Sequence, residues 1–159
     1  MSLKEQINAD LRDAMRAGDE VRKSTLRLLL SAVRNAEIPP EGAGPSATAR
    51  RELDDEGVRD VIRREVKQRR DSIDAYAKAN RGDLVAREEA EMAVLAAYLP
   101  AQMSREEIEA AARAVIERTG ARGPADKGKV MPVLMNELRG RADGRDINAV
   151  VTELLANPQ

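Results

Sequence analysis

Near the N-terminus, apolar residues recur at the spacing of an α-helix. An S-x-x-E capping box, Ser2 and Glu5, precedes the series, and Gly18 follows it. The pattern therefore predicts a first helix that ends before Gly18. Its apolar face consists of residues four positions apart: Leu3, Ile7, Leu11 and Met15.

The same periodicity, interrupted by helix breakers, predicts helices along the rest of the chain. Helix two follows Asp19 and is apolar over much of its girth, so we expect it at the centre of the first core. The other helices are expected from Asp54 or Asp55 to about Asn80, from about Leu84 to Leu99, after Ser104, up to Gly140, and after Asp143 and Gly144.

Helix six contains a proline, and its start is therefore open. An interior Pro132 would lose a hydrogen bond, and its ring would meet the carbonyl of Gly128. Either the backbone yields at Gly128, or the helix starts later, near Lys129, with Pro132 in its first turn.

Two breaker-rich stretches divide the chain. The segment PPEGAGPSATAR predicts a mobile loop near residues 39–52. Pro100 ends helix four, and a second S-x-x-E box, Ser104 and Glu107, follows a short connector. We therefore predict an all-α protein. Its parts are an N-terminal helical domain of about four helices at residues 1–99 and a small three-helix C-terminal domain at residues 104–159.

Composition limits the chemistry. The 159 residues include two Tyr but no Phe, Trp, Cys or His. Few aromatic residues disfavour a sheet, and the missing Cys and His remove the usual zinc ligands and the commonest general base. We therefore predict no metal, no cofactor and no catalytic residue.

Charge and hydropathy bear on location and partners. The formal net charge of −1 creates no global attraction for nucleic acid, so we expect no DNA binding. The sequence shows neither a signal-peptide pattern nor an apolar run long enough to cross a bilayer. These features predict a cytosolic protein that does not bind membranes.

A basic row on helix three is the first candidate site. Arg59, Arg63, Lys67 and Arg70 share one helical face and could follow a phosphate backbone. The alternative, which we favour, is a solvated face of ion pairs four residues apart. Those pairs would be Asp55–Arg59, Asp60–Arg64, Glu65–Arg69, Lys67–Asp71 and Arg70–Asp74.

A glycine-rich basic segment near the C-terminus is the second candidate. Glycines allow a ligand close to the backbone, and helix N-termini favour phosphate. Alternatively, the glycines form turns and caps and the charges keep the surface soluble; spacing favours neither alternative. The basic residues considered for binding are Lys127, Lys129, Arg139, Arg141 and Arg145.

The same segment carries a recognisable motif. It reads GKVM at residues 128–131, Leu134-Met135, and RGRADG at residues 139–144. This arrangement resembles the tail of the YqeY-like family, which shares its C-terminal domain with the B subunit of the glutamine-dependent aspartyl/glutamyl-tRNA amidotransferase. STLRLLLSAVRNAEI, EVKQRRDSIDAY and EEAEMAVLAAYLP resemble that family too, so the similarity covers nearly the whole chain. Arg replaces Lys at positions 139 and 141.

The resemblance implies a function. In the amidotransferase subunit the tail domain helps to hold tRNA, while ammonia transfer occurs elsewhere in the complex. A free-standing chain of this kind lacks the catalytic cradle and the glutaminase partner. We therefore expect a non-catalytic accessory protein that binds tRNA or another structured RNA. The alternatives are a helical protein-interaction module and a component of a carbon–nitrogen ligase complex that uses glutamine as amido donor.

Overall fold

The computed structural model describes residues 1–39 and 51–157, and this part of the chain is helical without strands. The all-α prediction is confirmed. The predicted loop near residues 39–52 falls mostly on residues 40–50, outside the described ranges. The helices are α1 (Leu3–Ala17), α2 (Glu20–Glu37), α3 (Asp55–Lys78), α4 (Gly82–Ala96), α5 (Arg105–Thr119), a 3₁₀ turn (Pro124–Asp126), α6 (Lys127–Glu137) and α7 (Gly144–Ala156).

Both predicted capping boxes form. The Ser2 hydroxyl accepts the Glu5 amide, and the Glu5 carboxylate accepts the Ser2 amide at 2.8 Å. Ser104 and Glu107 repeat this exchange at the start of α5. Each box satisfies two amides that the helix itself leaves without partners, which fixes where the helix begins.

The chain divides into two compact units, Met1–Leu99 and Pro100–Gln159. In the first unit, α2 supplies the largest share of the core, as predicted from its apolar composition. Its residues Leu26 and Val33 are fully buried. The core does not cover all the apolar residues of α2, however: Val21 and Leu28 are exposed. The core residues are Leu3, Ile7, Leu26, Leu29, Leu30, Val33, Val58, Val61, Ile62 and Leu95.

The second unit packs α5, α6 and α7 around their own core. Met103, just before α5, packs against this core, and its amide donates to the carbonyl of Arg141 at 2.9 Å. The connector therefore makes contacts within the second unit. Independent folding of residues 104–159 stays a prediction. The buried residues are Ile108, Ala112, Val115, Ala121, Val130, Leu134, Leu138, Ile147, Val150, Val151 and Leu155.

Pro132 lies inside α6. The helix begins at Lys127, directly after the 3₁₀ turn, so a later start near Lys129 is not what forms. Because proline has no amide hydrogen, the carbonyl of Gly128 receives no bond from residue 132. The helix ends at Glu137, before the predicted stop at Gly140.

Candidate nucleic-acid interface

The first half of the basic row on α3 is held in ion pairs. Arg59 lies 3.1 Å from Glu56, and Arg63 lies 2.9 Å from Glu56 and 2.6 Å from Asp60. Hydrogen bonds from Arg63 and then Arg59 lower the pKa of Glu56. These two cations are therefore largely neutralised by their own helix.

Their partners differ from the predicted ones. Arg59 bonds to Glu56 and not to Asp55, because the Asp55 carboxylate accepts the amide of Leu3 at 2.9 Å. Asp60 pairs with Arg63 and not with Arg64. The spacing of these pairs is three residues, and one of the predicted acids is diverted to capping α1.

The second half of the basic row contains both paired and unpaired cations. The predicted Glu65–Arg69 pair forms at 3.1 Å. Arg70 is half-buried, whereas Lys67 is exposed and has no carboxylate partner within residues 1–39 and 51–157. As a whole, the row offers little unpaired charge to a phosphate backbone.

A buried ion network, which the sequence pattern did not predict, joins α3 to α4. Arg69 contacts Glu65 and also lies 3.4 Å from Glu91 on α4, and Arg87 approaches Glu91 at 3.5 Å. One signal was present: Glu91 stands four residues before the buried Leu95, on the apolar side of α4. A carboxylate in that position requires a cation from another helix.

The five basic residues of the C-terminal segment form two groups. Lys127 and Lys129 begin α6, whereas Arg139 and Arg141 lie in the turn after it, followed by Arg145 in the first turn of α7. The 11 residues of α6 span about 15 Å along the helix axis. The segment therefore presents two separate positive positions, one at each end of α6.

The group at the start of α6 is partly neutralised. Lys129 lies 3.3 Å from Asp126, whose carboxylate also accepts the Arg122 amide at 2.9 Å. The Arg122 amide, and after it Lys129, lowers the pKa of Asp126. Lys127 is half-buried. A phosphate at this end of α6 would lie near a carboxylate that stays ionised.

The turn after α6 presents two arginines on a fixed backbone. Arg139 and Arg141 are exposed on either side of Gly140, whose φ of 78° is left-handed. The Arg141 amide donates to the carbonyl of the buried Leu138 at 2.9 Å, and the Arg141 carbonyl accepts from Met103 at 2.9 Å. In the described part of the chain, neither guanidinium has a carboxylate partner.

The start of α7 is already capped. The Asp143 carboxylate accepts the Arg145 amide at 2.8 Å. A phosphate bound at this helix N-terminus, as we expected from the sequence, would therefore compete with the protein's own carboxylate. Gly144 serves packing: a Cβ there would come within 3.2 Å of the Met135 methyl group. The two residues therefore have structural roles in the RGRADG turn.

The second unit also has a surface groove between α5 and α7. It measures about 690 Å³ and is lined by Ile116 and Leu154 together with Arg113, Glu117 and Arg122. Its charged lining residues are of both signs, which gives no preference for an anion. In the described ranges, no three acidic side chains gather as metal ligands would, and no helix has the length and apolar character that crossing a bilayer requires.

Comparison with known proteins identifies relatives. The chain is 40% identical over 93 residues to the altered inheritance of mitochondria protein 41, mitochondrial, of Lachancea thermotolerans, covering 58% of this chain and 46% of the relative. For the protein of the same name from Eremothecium gossypii, identity is 37% over 108 residues, or 68% and 55% of the two chains. For that of Saccharomyces cerevisiae it is 34% over 93 residues, or 58% and 46%. The chain spans about half the length of the curated relatives it matches.

These relatives overturn one expectation. All three are named as mitochondrial proteins, which contradicts the cytosolic location predicted from the sequence. The prediction failed because it relied on sequence features that reflect how the chain folds and not where it is located. A capped amphipathic helix and a lack of Cys suit a reducing environment in general and do not identify a compartment.

The family assignment rests on nearly the whole chain. The family model described as Yqey-like protein matches residues 4–155, which includes both helical units and the RGRADG turn. The resemblance inferred from the motifs is thereby confirmed, and the protein belongs to the YqeY-like family.

Proposed function

We propose that the protein binds tRNA or another structured RNA through its C-terminal unit, as an accessory without catalysis of its own. The observation that carries the proposal is the pair Arg139 and Arg141, exposed on either side of Gly140 and without carboxylate partners in the described residues. This turn lies in the segment that resembles the tail of the amidotransferase B subunit, which supports a related role in holding tRNA.

The backbone of this turn favours phosphate binding by the two arginines. Hydrogen bonds hold Arg141 at both its amide and its carbonyl, so binding would order the side chains alone. Less conformational entropy is then lost on binding. Guanidinium groups also match phosphate oxygens through two parallel hydrogen bonds.

Recognition would depend on shape and backbone charge. Tyr76 and Tyr98 are the two aromatic residues of the chain, and both lie outside the second unit. Without an aromatic platform, base stacking contributes little, and contacts to phosphate and ribose carry the interaction. We therefore expect weak discrimination among tRNAs of different sequence.

The basic residues outside the turn have smaller expected roles. Lys129 is paired with Asp126, and Lys127 is half-buried at the far end of α6. On α3, Arg59 and Arg63 are engaged by Glu56. A component role in a carbon–nitrogen ligase complex would add to RNA binding and would not replace it.

Binding of a mixed tRNA preparation at low salt tests the proposal. We expect Arg139→Ala combined with Arg141→Ala to weaken binding roughly tenfold, a change of about 1.4 kcal/mol. The matched control combines Arg63→Ala and Lys67→Ala, which removes the same number of charges from α3 and should change the affinity less than about twofold. Loss of binding in the control alone, or no binding by the wild-type protein, would refute the proposal.

A further inference from the structure

The outward face of α2 has an ordered composition. It consists of three rows whose members are seven residues apart, which places each row along the helix axis. We define the outward face of α2 by three rows: an apolar row (Val21 and Leu28), a serine row (Ser24 and Ser31) and an arginine row (Arg27 and Arg34).

The core does not account for this face. Leu26, Leu30 and Val33 point to the opposite side of α2 and are buried there. Val21 remains 41% exposed and Leu28 56% exposed. A leucine exposed to that extent on an ordered helix contributes little to folding, so its apolar surface is available to another molecule.

The charges on this face are of one sign. Arg27 and Arg34 have no carboxylate partner in residues 1–39 and 51–157. The acids of α2 are engaged elsewhere: Glu20 lies 3.4 Å from Lys23, and Glu37, three residues after Arg34, is buried and pairs with Lys4 of α1. The arginine row therefore presents uncompensated positive charge beside the apolar row.

The serine row is compact. The Ser24 hydroxyl donates to the carbonyl of Val21 at 3.2 Å, so this side chain is bonded to its own helix. Small side chains between an apolar row and a charged row let a second backbone approach closely.

We propose that the outward face of α2 docks an acidic amphipathic helix of a partner protein. Rows with a seven-residue repeat match a helix packed lengthwise, since that is the repeat at which two helices keep contact. Leu28 is the apolar anchor, and Arg27 and Arg34 pair with acidic residues at the edge of the partner helix. The proposal is independent of RNA binding, because it concerns the first unit and different residues.

Charge and size favour this occupant. Glutamate or aspartate flanking an apolar stripe complements the arginine row. Val21 and Leu28 together offer too little apolar surface for insertion into a bilayer, and there is no aromatic side chain on the face to stack with a base.

Two synthetic helical peptides test the proposal against the full-length protein. Both carry the same leucine heptads; one has Glu at every flanking position and the other has Lys. We expect the Glu peptide to bind at least about tenfold more tightly, and Leu28→Gln to reduce its affinity by about tenfold. Arg27→Glu combined with Arg34→Glu should reverse the preference, so that the Lys peptide binds better.

Matched controls are Val133→Gln, at an apolar residue that is 39% exposed on α6, and Arg64→Glu, at an exposed cation on α3. Neither should alter binding of the Glu peptide. The charge reversal remains informative if Leu28→Gln unfolds the protein, as circular dichroism would reveal.

Equal binding of the two peptides, or an affinity that Leu28→Gln leaves unchanged, would overturn the proposal. Two other results would overturn it by identifying another occupant. One is self-association of the wild-type protein in sedimentation that Leu28→Gln abolishes, which would assign the face to a second copy. The other is loss of tRNA binding on reversal of Arg27 and Arg34, which would assign it to RNA.

Discussion

Arg69 of α3 meets Glu91 of α4 with its Nε 3.4 Å from Oε2, and their side chains are only 9% and 12% exposed. Arg69 also bonds to Glu65 at 3.1 Å, so one guanidinium serves two carboxylates. The network ties the two helices together where water has little access. Its members depend on one another, because a buried charge left without its partner is costly.

Arg69→Ala should therefore destabilise the protein strongly. The change leaves Glu65 and Glu91 facing each other in a poorly hydrated site, and we expect a loss of about 3–5 kcal/mol in the free energy of unfolding. Urea unfolding followed by circular dichroism measures it. Arg87→Ala is the control: Arg87 is 70% exposed and contacts the same Glu91, so its removal should cost about 1 kcal/mol or less. Equal losses for the two variants would show that the network does not stabilise the helix pair.

Two glycines of the second unit, Gly140 beside the proposed RNA site and Gly128 at the opposite end of α6, should respond to alanine in opposite directions. Gly140 has a φ of 78°, so Gly140→Ala should destabilise the protein by about 1–2 kcal/mol. Gly128 is helical, and a Cβ there would meet no atom within 4 Å beyond its chain neighbours and the backbone of its own helix, so Gly128→Ala should be neutral or stabilising by up to about 1 kcal/mol. Thermal unfolding compares them. A stabilising Gly140→Ala would contradict the left-handed turn between the two arginines.

Tyr98 should retain its proton to unusually high pH. Burial, and after it the hydrogen bond to Asp10, raises the pKa of Tyr98 above its ordinary value. Phenolate absorbance in a Tyr76→Phe variant reports Tyr98 alone, and its midpoint should lie above the ordinary pH of about 10. A midpoint at or below that value would contradict the half-buried Tyr98–Asp10 bond.

The same shift makes stability depend on pH. Because the folded-state pKa is raised, the protonated phenol contributes its full stability below about pH 10, and this contribution is lost as pH rises towards the folded-state pKa. Tyr98→Phe should be less stable at neutral pH and should lack this alkaline decline. Urea unfolding at neutral and alkaline pH measures both effects, and a decline that persists unchanged in Tyr98→Phe would assign it to another group.

The second unit should fold alone, and more stably when the connector is included. A fragment of residues 104–159 lacks Met103, whose amide bonds to Arg141 and whose side chain packs on the core. We expect the fragment 100–159 to be more stable by about 1–2 kcal/mol, the sum expected of one hydrogen bond and a partly buried side chain. Thermal unfolding of both fragments tests this. If both were unfolded, the second unit would depend on the first.

Local features of the fold follow from the sequence. The capping boxes at Ser2 and Ser104 form as predicted, since a serine and a glutamate three residues apart need nothing beyond the helix itself. Helix starts and glycine stops such as Gly18 depend on the same short-range geometry. The sequence pattern therefore predicts where the helices lie but does not predict how they pack against one another.

Long-range pairs do not follow from the sequence in this way. The Arg69–Glu91 contact requires two helices to pack in one register, and Asp55 is diverted from Arg59 to the amide of Leu3. In the candidate site, spacing correctly places basic residues in one segment. It does not reveal that α6 separates Lys127 from Arg141 or that Asp126 neutralises Lys129.

The salt dependence of tRNA binding tests the central claim most directly. Each phosphate contact contributes about 0.7–0.9 to the slope of the logarithm of affinity against the logarithm of salt concentration. If Arg139 and Arg141 each bind one phosphate, changing both to Ala should flatten the slope by about 1.4–1.8, whereas changing Arg63 and Lys67 should leave it unaltered. An unchanged slope in the Arg139 and Arg141 variant, together with unchanged affinity, would show that the turn between α6 and α7 is not the RNA-binding surface.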